Sequence, residues 1–112
     1  MKYLLLVYDD PTQWTDVTEE QMQGLYVEYG AVAKNPATVG SAQLKPVDTA
    51  KTVRIKGGET LVTDGPFAET KEQLGGYYLV EADSIDEAAK IGALIPSARM
   101  GGSIEVRPLV EM

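Results

Sequence analysis

No cysteine and no histidine occur anywhere in this chain. The first absence excludes disulfides, thiol nucleophiles and thiolate metal sites. The second removes the commonest general base and the commonest metal ligand, and with them every Ser-His or Cys-His arrangement. Basic residues are scarce: Lys and Arg total 10 against 17 Asp and Glu, a net charge of −7. Neutralising phosphates takes a basic face, so neither a nucleic acid nor an anionic membrane surface is an expected partner. Long apolar runs are missing as well. The N-terminal one, Tyr3–Tyr8, ends at Asp9-Asp10. It is too short to cross a bilayer or to form the apolar region of a signal peptide, which makes a cytoplasmic location the default expectation.

What is there is ordinary globular composition, 44% hydrophobic and 24% charged in 112 residues. That suffices for a single domain, 1–112, with one core. Lys2–Tyr8 (KYLLLVY) is β-rich, and both its alternate sets, Tyr3/Leu5/Val7 and Leu4/Leu6/Tyr8, are apolar. This is the pattern of a central strand covered on both faces. The helices of so small a chain cover one face only, so the pattern predicts a second copy on the other.

Thr18 and Gln21 have capping-box spacing and open a helix from Glu19 to about Lys34, ended by Asn35-Pro36. Met22, Leu25, Tyr26, Tyr29 and Ala33 form one helical stripe, read as core packing rather than a cofactor site. Thr38–Leu44 predicts a strand. Lys51–Lys56 and Glu59–Thr63 flank Gly57-Gly58, a hairpin signal. Leu74–Ala82 predicts another strand, whose paired glycines mark a bulge or a close backbone contact. Ser84 with Glu87 starts a second helix, with Ile85, Ala88, Ala89, Gly92 and Ile95 as its buried stripe and Pro96 as its end. Ser103–Leu109 (SIEVRPL) predicts the last strand. The order β-α-β-(hairpin)-β-α-β predicts an α+β, ferredoxin-like antiparallel sheet with two helices on one face and an inserted β-hairpin.

Candidate chemistry concentrates in Thr63–Gly76, TDGPFAETKEQLGG. Asp64 suits an Asx-turn, Gly65 permits positive φ, and Pro66 fixes φ while removing a donor. Phe67, the one phenylalanine, follows this rigid turn, and Glu69, Lys71 and Glu72 add charge; a single helical turn fits within Phe67–Gln73. In the functional reading Asp64 or Glu69 is a general base, and Lys71 or Arg107 stabilises an enolate or binds an anion. Tyr8, at the end of the first strand, orients a carbonyl or phenol. In the structural reading Asp64-Gly65-Pro66 is a corner, Phe67 its plug, and the charges are solvated or ion-paired. Asp64, Glu69 and Glu72 lack the alternation of a calcium loop, so no metal site and no cofactor is expected. Glu105 and Arg107 share one face of the last strand, either as inward polar groups or as an edge-strand ion pair. Ser41 and Ser103 have no partner base and are not nucleophile candidates.

The string DGPFAETKEQLGGYYLVEADSIDEA, the later SIEVRPL and the opening MKYLLLVY resemble the DGPF-containing branch of the YCII-related family. The resemblance runs over essentially the whole chain and is strongest from Val62 to Leu109. It implies a ferredoxin-like fold dimerising face to face into a dimeric α+β barrel, with a cleft between sheet and helices. The wider family includes an enzyme that removes chloride from a chlorinated hydroxyhydroquinone, and a histidine-aspartate pair has been proposed as its active site. That pair has no counterpart in a chain without histidine. Genes of the branch often lie beside extracytoplasmic-function sigma factors.

Two functions follow as expectations. One is a homodimer binding a small aromatic or carbonyl-containing molecule in a cleft, enzyme-like without histidine, with Tyr8, Asp64, Gly65, Pro66, Phe67, Glu69, Lys71 and Arg107 as its binding set. The other is a non-catalytic interaction or regulatory module, linked to such a sigma factor and docking through the DGPF turn.

Overall fold

The apolar N-terminal strand organises the molecule. In the computed structural model, which describes residues 1–68 and 70–111, this strand is β1 (Lys2–Asp9). It pairs antiparallel with both β5 (Gln73–Glu81) and β6 (Ser103–Pro108), while β2 (Thr38–Gln43) pairs with the far side of β5. The four-stranded sheet therefore runs β2-β5-β1-β6.

Two helices, α1 (Glu19–Ala33) and α2 (Ile85–Gly92), cover one face. Both start where their caps dictate. Thr18 Oγ1 accepts from the Gln21 amide at 3.1 Å while Gln21 Oε1 accepts from the Thr18 amide at 3.0 Å. Ser84 Oγ accepts from the Glu87 amide at 3.2 Å. These bonds satisfy donors that a helix start otherwise leaves unpaired. Tyr3, Leu5 and Val7 of β1 join Tyr78 and Val80 of β5 in the core, packed against Val32 of α1, Ala88 of α2 and Ile95. The α1 stripe divides: Leu25 and Val32 are buried, Tyr29 packs partly against the core, and Tyr26 and Ala33 are exposed.

The second apolar set of β1 lies on the opposite face, where Leu4 stands beside Leu79 and Arg107, and Leu6 beside Tyr77 and Glu105. This sheet is open, with β2 and β6 as free edges, and is not closed into a barrel. The expected dimeric α+β barrel is corrected to an open sheet, and the homodimer inferred with it has no support in the fold. The physical reason lies in strand position. As a central strand, β1 has Leu4 and Leu6 half-buried by their cross-strand neighbours, so apolarity on both faces does not require closure.

The inserted hairpin, β3 (Lys51–Lys56) and β4 (Glu59–Asp64), forms a sheet of its own. Gly57 and Gly58 take φ of 59° and 80°, the positive values a two-residue turn of matching twist needs. Ala50 O accepts from the Gly65 amide and Gly65 O from Thr52 Oγ1, both at 2.8 Å, and these bonds tie its base. The molecule is a flat 45 × 42 × 19 Å, with a radius of gyration of 15.9 Å. A compact chain of this length has about 13 Å. Among the described residues of Phe67–Gln73 there is no helical turn, and Gln73 already belongs to β5; Glu69 lies outside the described residues. No described helix is long and apolar enough to cross a membrane.

Candidate functional site

The end of β1 is shaped by a bulge. Val7 faces Gly76 but Tyr8 faces Leu74, so Gly75 is left over in the register. Gly76 is sterically required by backbone, while Gly75 leaves room for the Asp9 side chain. A Cβ on Gly75 would run into the Asp9 carboxylate, and one on Gly76 would stand 2.8 Å from the Ala42 carbonyl oxygen. Asp10 then caps the short turn Pro11–Trp14, accepting from the Thr12 amide at 2.9 Å and from Thr12 Oγ1 at 2.7 Å. The Thr12 amide bond, reinforced by the hydroxyl, holds the Asp10 carboxyl below the usual carboxylate range against the opposing effect of burial. Gln13 completes the cap. Its Oε1 accepts from the Asp10 amide at 2.9 Å, which leaves Nε2 to donate to Asp9 Oδ1 at 3.0 Å.

A third segment meets Asp9 from behind. Ser97, in the turn Pro96–Ala98, is wholly buried, and its Oγ donates to Asp9 Oδ1 at 2.5 Å. Tyr29 OH lies 2.6 Å from the same Ser97 oxygen. Ser97 has one hydroxyl proton and gives it to Asp9, so Tyr29 is the donor in that second bond. The result is a directed chain, Tyr29 to Ser97 to Asp9. Burial pushes the Tyr29 phenol above its ordinary value; the Ser97 bond opposes this and the Asp9 charge adds to it. Tyr78 OH donates to the Tyr29 carbonyl at 3.0 Å, and its phenol is also raised, first by burial and then by Tyr29.

Asp9 and Tyr29 open onto a cleft of about 850 Å³ between α1, the β2–β5 side of the sheet and the segment Leu44–Asp48. This is the size of a small-molecule site. Trp14, Tyr26 and Tyr29 line it with backbone and side chains of β2 and β5; of the two β5 tyrosines there, Tyr78 packs into the core and Tyr77 points to the opposite sheet face with Leu6. The Trp14 and Tyr29 rings stand 6.4 Å apart, tilted by 53°. A second concavity, about 680 Å³, lies between Met1, Glu81–Asp83 and α2, and has exposed Glu81, Asp83, Glu87 and Lys90 around it.

The model of the YCII-related domain matches residues 1–112. The chain belongs to that family. An uncharacterized protein of Rhizobium meliloti (strain 1021) is 40% identical over 114 residues, covering 97% of this chain and 92% of its own length. The uncharacterized protein YjpA of Bacillus subtilis (strain 168) is 40% identical over 50 residues, 45% of this chain and 55% of its own length.

This YCII-related domain spreads the residues singled out from sequence over three places. Asp64 ends β4 and pairs with Lys51 at 2.6 Å, with both side chains largely exposed. Gly65 turns with φ of 89°, and Pro66 and Phe67 follow it into solvent, Phe67 being 79% exposed. Lys71 lies 3.8 Å from Asp10 Oδ2. Tyr8 and Arg107 are on the open sheet face, where Arg107 ion-pairs with Glu105 on the edge strand β6. Among the described residues no cluster of three or more acidic side chains is placed to hold a metal ion. Asp64 is engaged by Lys51, and Glu72 Oε1 accepts from Ser103 Oγ at 2.6 Å.

Sequence reasoning passed over Asp9 and Ser97 and took Tyr29 as core packing. One signal was available: an aspartate ending the most apolar strand, followed by a turn that Asp10 and Pro11 begin. Chemically, Oδ1 of Asp9 accepts two hydrogen bonds, while Oδ2 makes none with the described residues and lies over Gly75, itself on the cleft wall. Asp9 can thus accept a proton or a hydrogen bond from a ligand. Ser97, wholly buried and donating to Asp9, is a positioning residue.

Proposed function

We propose that this protein binds a small, aromatic-bodied molecule in the cleft between α1 and the sheet, with Asp9 as its polar anchor. The observation that carries the reading is the Tyr29–Ser97–Asp9 chain. It holds one carboxylate oxygen bonded and leaves the other without a partner among the described residues, on the wall of a cleft that Trp14, Tyr26 and Tyr29 also line. Apolar walls with a few fixed polar groups are the common makeup of a ligand site. A carbonyl-containing ligand has less to hold it, because the Tyr29 hydroxyl proton is committed to Ser97. An enzyme-like step here would use Asp9 as the base, in place of the histidine this chain lacks. The string Asp64–Phe67 supports placing the chain in the DGPF-containing branch of its family.

A thermal-shift screen of phenols, aromatic acids and aromatic amines tests this, because ligand binding to the folded state raises Tm by mass action. Shifts that vanish in Asp9→Ala are the expected result; silence across the screen overturns the reading.

A specific observation favours a second reading. One face of the hairpin carries Val53 against Val62 and Ile55 against Thr60, and Ile55 is 74% exposed. With Phe67 at its base, this arm supports a docking element for a protein partner, the sigma-factor association suggested by family resemblance being one case. Losing a partner on Phe67→Ala with Tm unchanged supports that reading, and an unchanged partner profile sinks it.

A further inference from the structure

We infer that the ligand of this cleft is an organic cation, a protonated primary amine on an aromatic or apolar body. The inference rests on the cleft being a ligand site and adds which charge it selects. Three observations carry it. First, among the described residues the charged ones on the cleft wall are Asp9, Lys45 and Asp48. Lys45 and Asp48 are both exposed on the Leu44–Asp48 segment and carry opposite signs, so they offset each other at the mouth. Asp9 is the charge left over, and it is half-buried.

Second, the hydrogen bonds that converge on Asp9 all run in one direction. Ser97 and Gln13 donate to Oδ1 of Asp9, and Tyr29 donates to Ser97. Among the described residues Asp9 Oδ2 is thus left as an acceptor without a partner, lying against Gly75, while Trp14, Tyr26, Ser41, Gln43 and Gln73 bring further polar side chains along the wall. A carboxylate or phosphate ligand would meet Asp9 with like charge. A neutral carbonyl would bring a second acceptor. An ammonium group brings the N–H donors that match, in a charge-assisted bond.

Third, aromatic residues share the cleft wall with Asp9. Tyr29 takes part in the hydrogen-bond chain to Asp9 and also pairs with Trp14, the rings 6.4 Å apart and tilted by 53°. Ring faces attract cations within about 6 Å of their centroids, and Trp attracts them best. A carboxylate sharing a wall with aromatic rings favours an ammonium head, and Tyr26 and Met22 provide apolar area for the body. The absence of histidine has a consequence here: no other ring in the chain competes as a titrating cation for Asp9.

The test is isothermal titration calorimetry on the intact protein at neutral pH with three probes of one shape: 2-phenylethylamine, 2-phenylethanol and phenylacetate. The amine is expected to bind on the order of tenfold or more tighter than the alcohol, and phenylacetate more weakly still. In Asp9→Asn this preference is expected to collapse to within about twofold, with the alcohol's affinity kept. Because the probe series is run on the unmodified protein, the inference stays testable even if Asp9→Asn fails to fold. The alcohol or the acid binding as tightly as the amine overturns the inference and leaves the cleft as a ligand site. Silence from all three overturns the inference, and silence across the wider screen overturns the site itself. An amine preference unchanged in a folded Asp9→Asn overturns Asp9 as its source.

Discussion

The cleft and the hairpin both depend on glycines at tight positions and on strands in antiparallel register, yet they answer to different constraints. At the cleft each element is held from several sides. β1 is gripped by two strands, Asp9 by nearby Gln13 and by Ser97, and Ser97 by Tyr29, the last two from segments far along the chain. The hairpin is held at its base and by its own ladder, and its apolar face is in solvent. A two-stranded hairpin by itself is marginal in water. The difference teaches that local turn chemistry is enough to shape an arm, whereas placing a carboxylate toward a cleft takes converging tertiary contacts.

Substitutions can break that contrast, beginning with the core. Leu5→Ala, at a wholly buried core position of β1, is expected to cost about 2–5 kcal/mol of stability. Ile55→Ala on the hairpin is expected to cost about 0.5 kcal/mol or less. Urea denaturation of both variants checks this, and similar losses would mean that the hairpin is packed. A smaller effect is expected from Gly76→Ala, whose new Cβ would press on the Ala42 carbonyl: about 1–3 kcal/mol, with weaker ligand binding because both residues line the cleft.

Ser97→Ala removes the middle of the hydrogen-bond chain. It is expected to cost about 1–3 kcal/mol, because Tyr29 OH and one Asp9 oxygen lose a partner. Lys51→Ala at the exposed hairpin pair is expected to cost about 0–1 kcal/mol, less at high salt. Equal effects would erase the distinction between the two regions.

The pH dependence sharpens the comparison from the cleft side. Tyr29 and Tyr78 have folded values raised above 10.0. Their contribution is present in full below pH 10.0 and is lost as pH rises from there through the raised values. Tm measured from neutral to alkaline pH is expected to fall above that point, and less steeply in Tyr29→Phe. At the acid end, Asp10 is lowered from 3.8, so its stabilisation is present above that value and is lost as pH falls through the lowered one. Following the Thr12 amide resonance through an acid titration detects that loss.

The elements were legible in the sequence because their signals are local. The Thr18 cap, the Gly57-Gly58 turn and the alternation of Ile104 and Val106 each act within a few residues, and each element forms where those signals put it. The paired glycines were legible as a bulge or a close contact, and Gly75 and Gly76 supply both. The site was legible only as a concentration of polar residues after Asp64. Folding disperses these, Asp64 to a hairpin ion pair, Phe67 to solvent and Arg107 to an edge strand. Asp9, Tyr29 and Ser97 gave no joint signal, since the bonds that unite Ser97 with Tyr29 and Asp9 span 68 and 88 residues.

The sequence by itself determined the absence of histidine and thiol chemistry, the order of strands and helices, and the existence of the hairpin. Composition and short-range periodicity are properties of the chain before it folds. Only the tertiary structure decided that the sheet stays open, because the shielding of Leu4 and Leu6 depends on which strands flank β1. It also decided which carboxylate meets the aromatic cleft. Seventeen acidic residues are equivalent on paper. Asp9 is set apart by the Gln13 amide and the distant Ser97 hydroxyl that donate to it, and by Tyr29, which donates to Ser97.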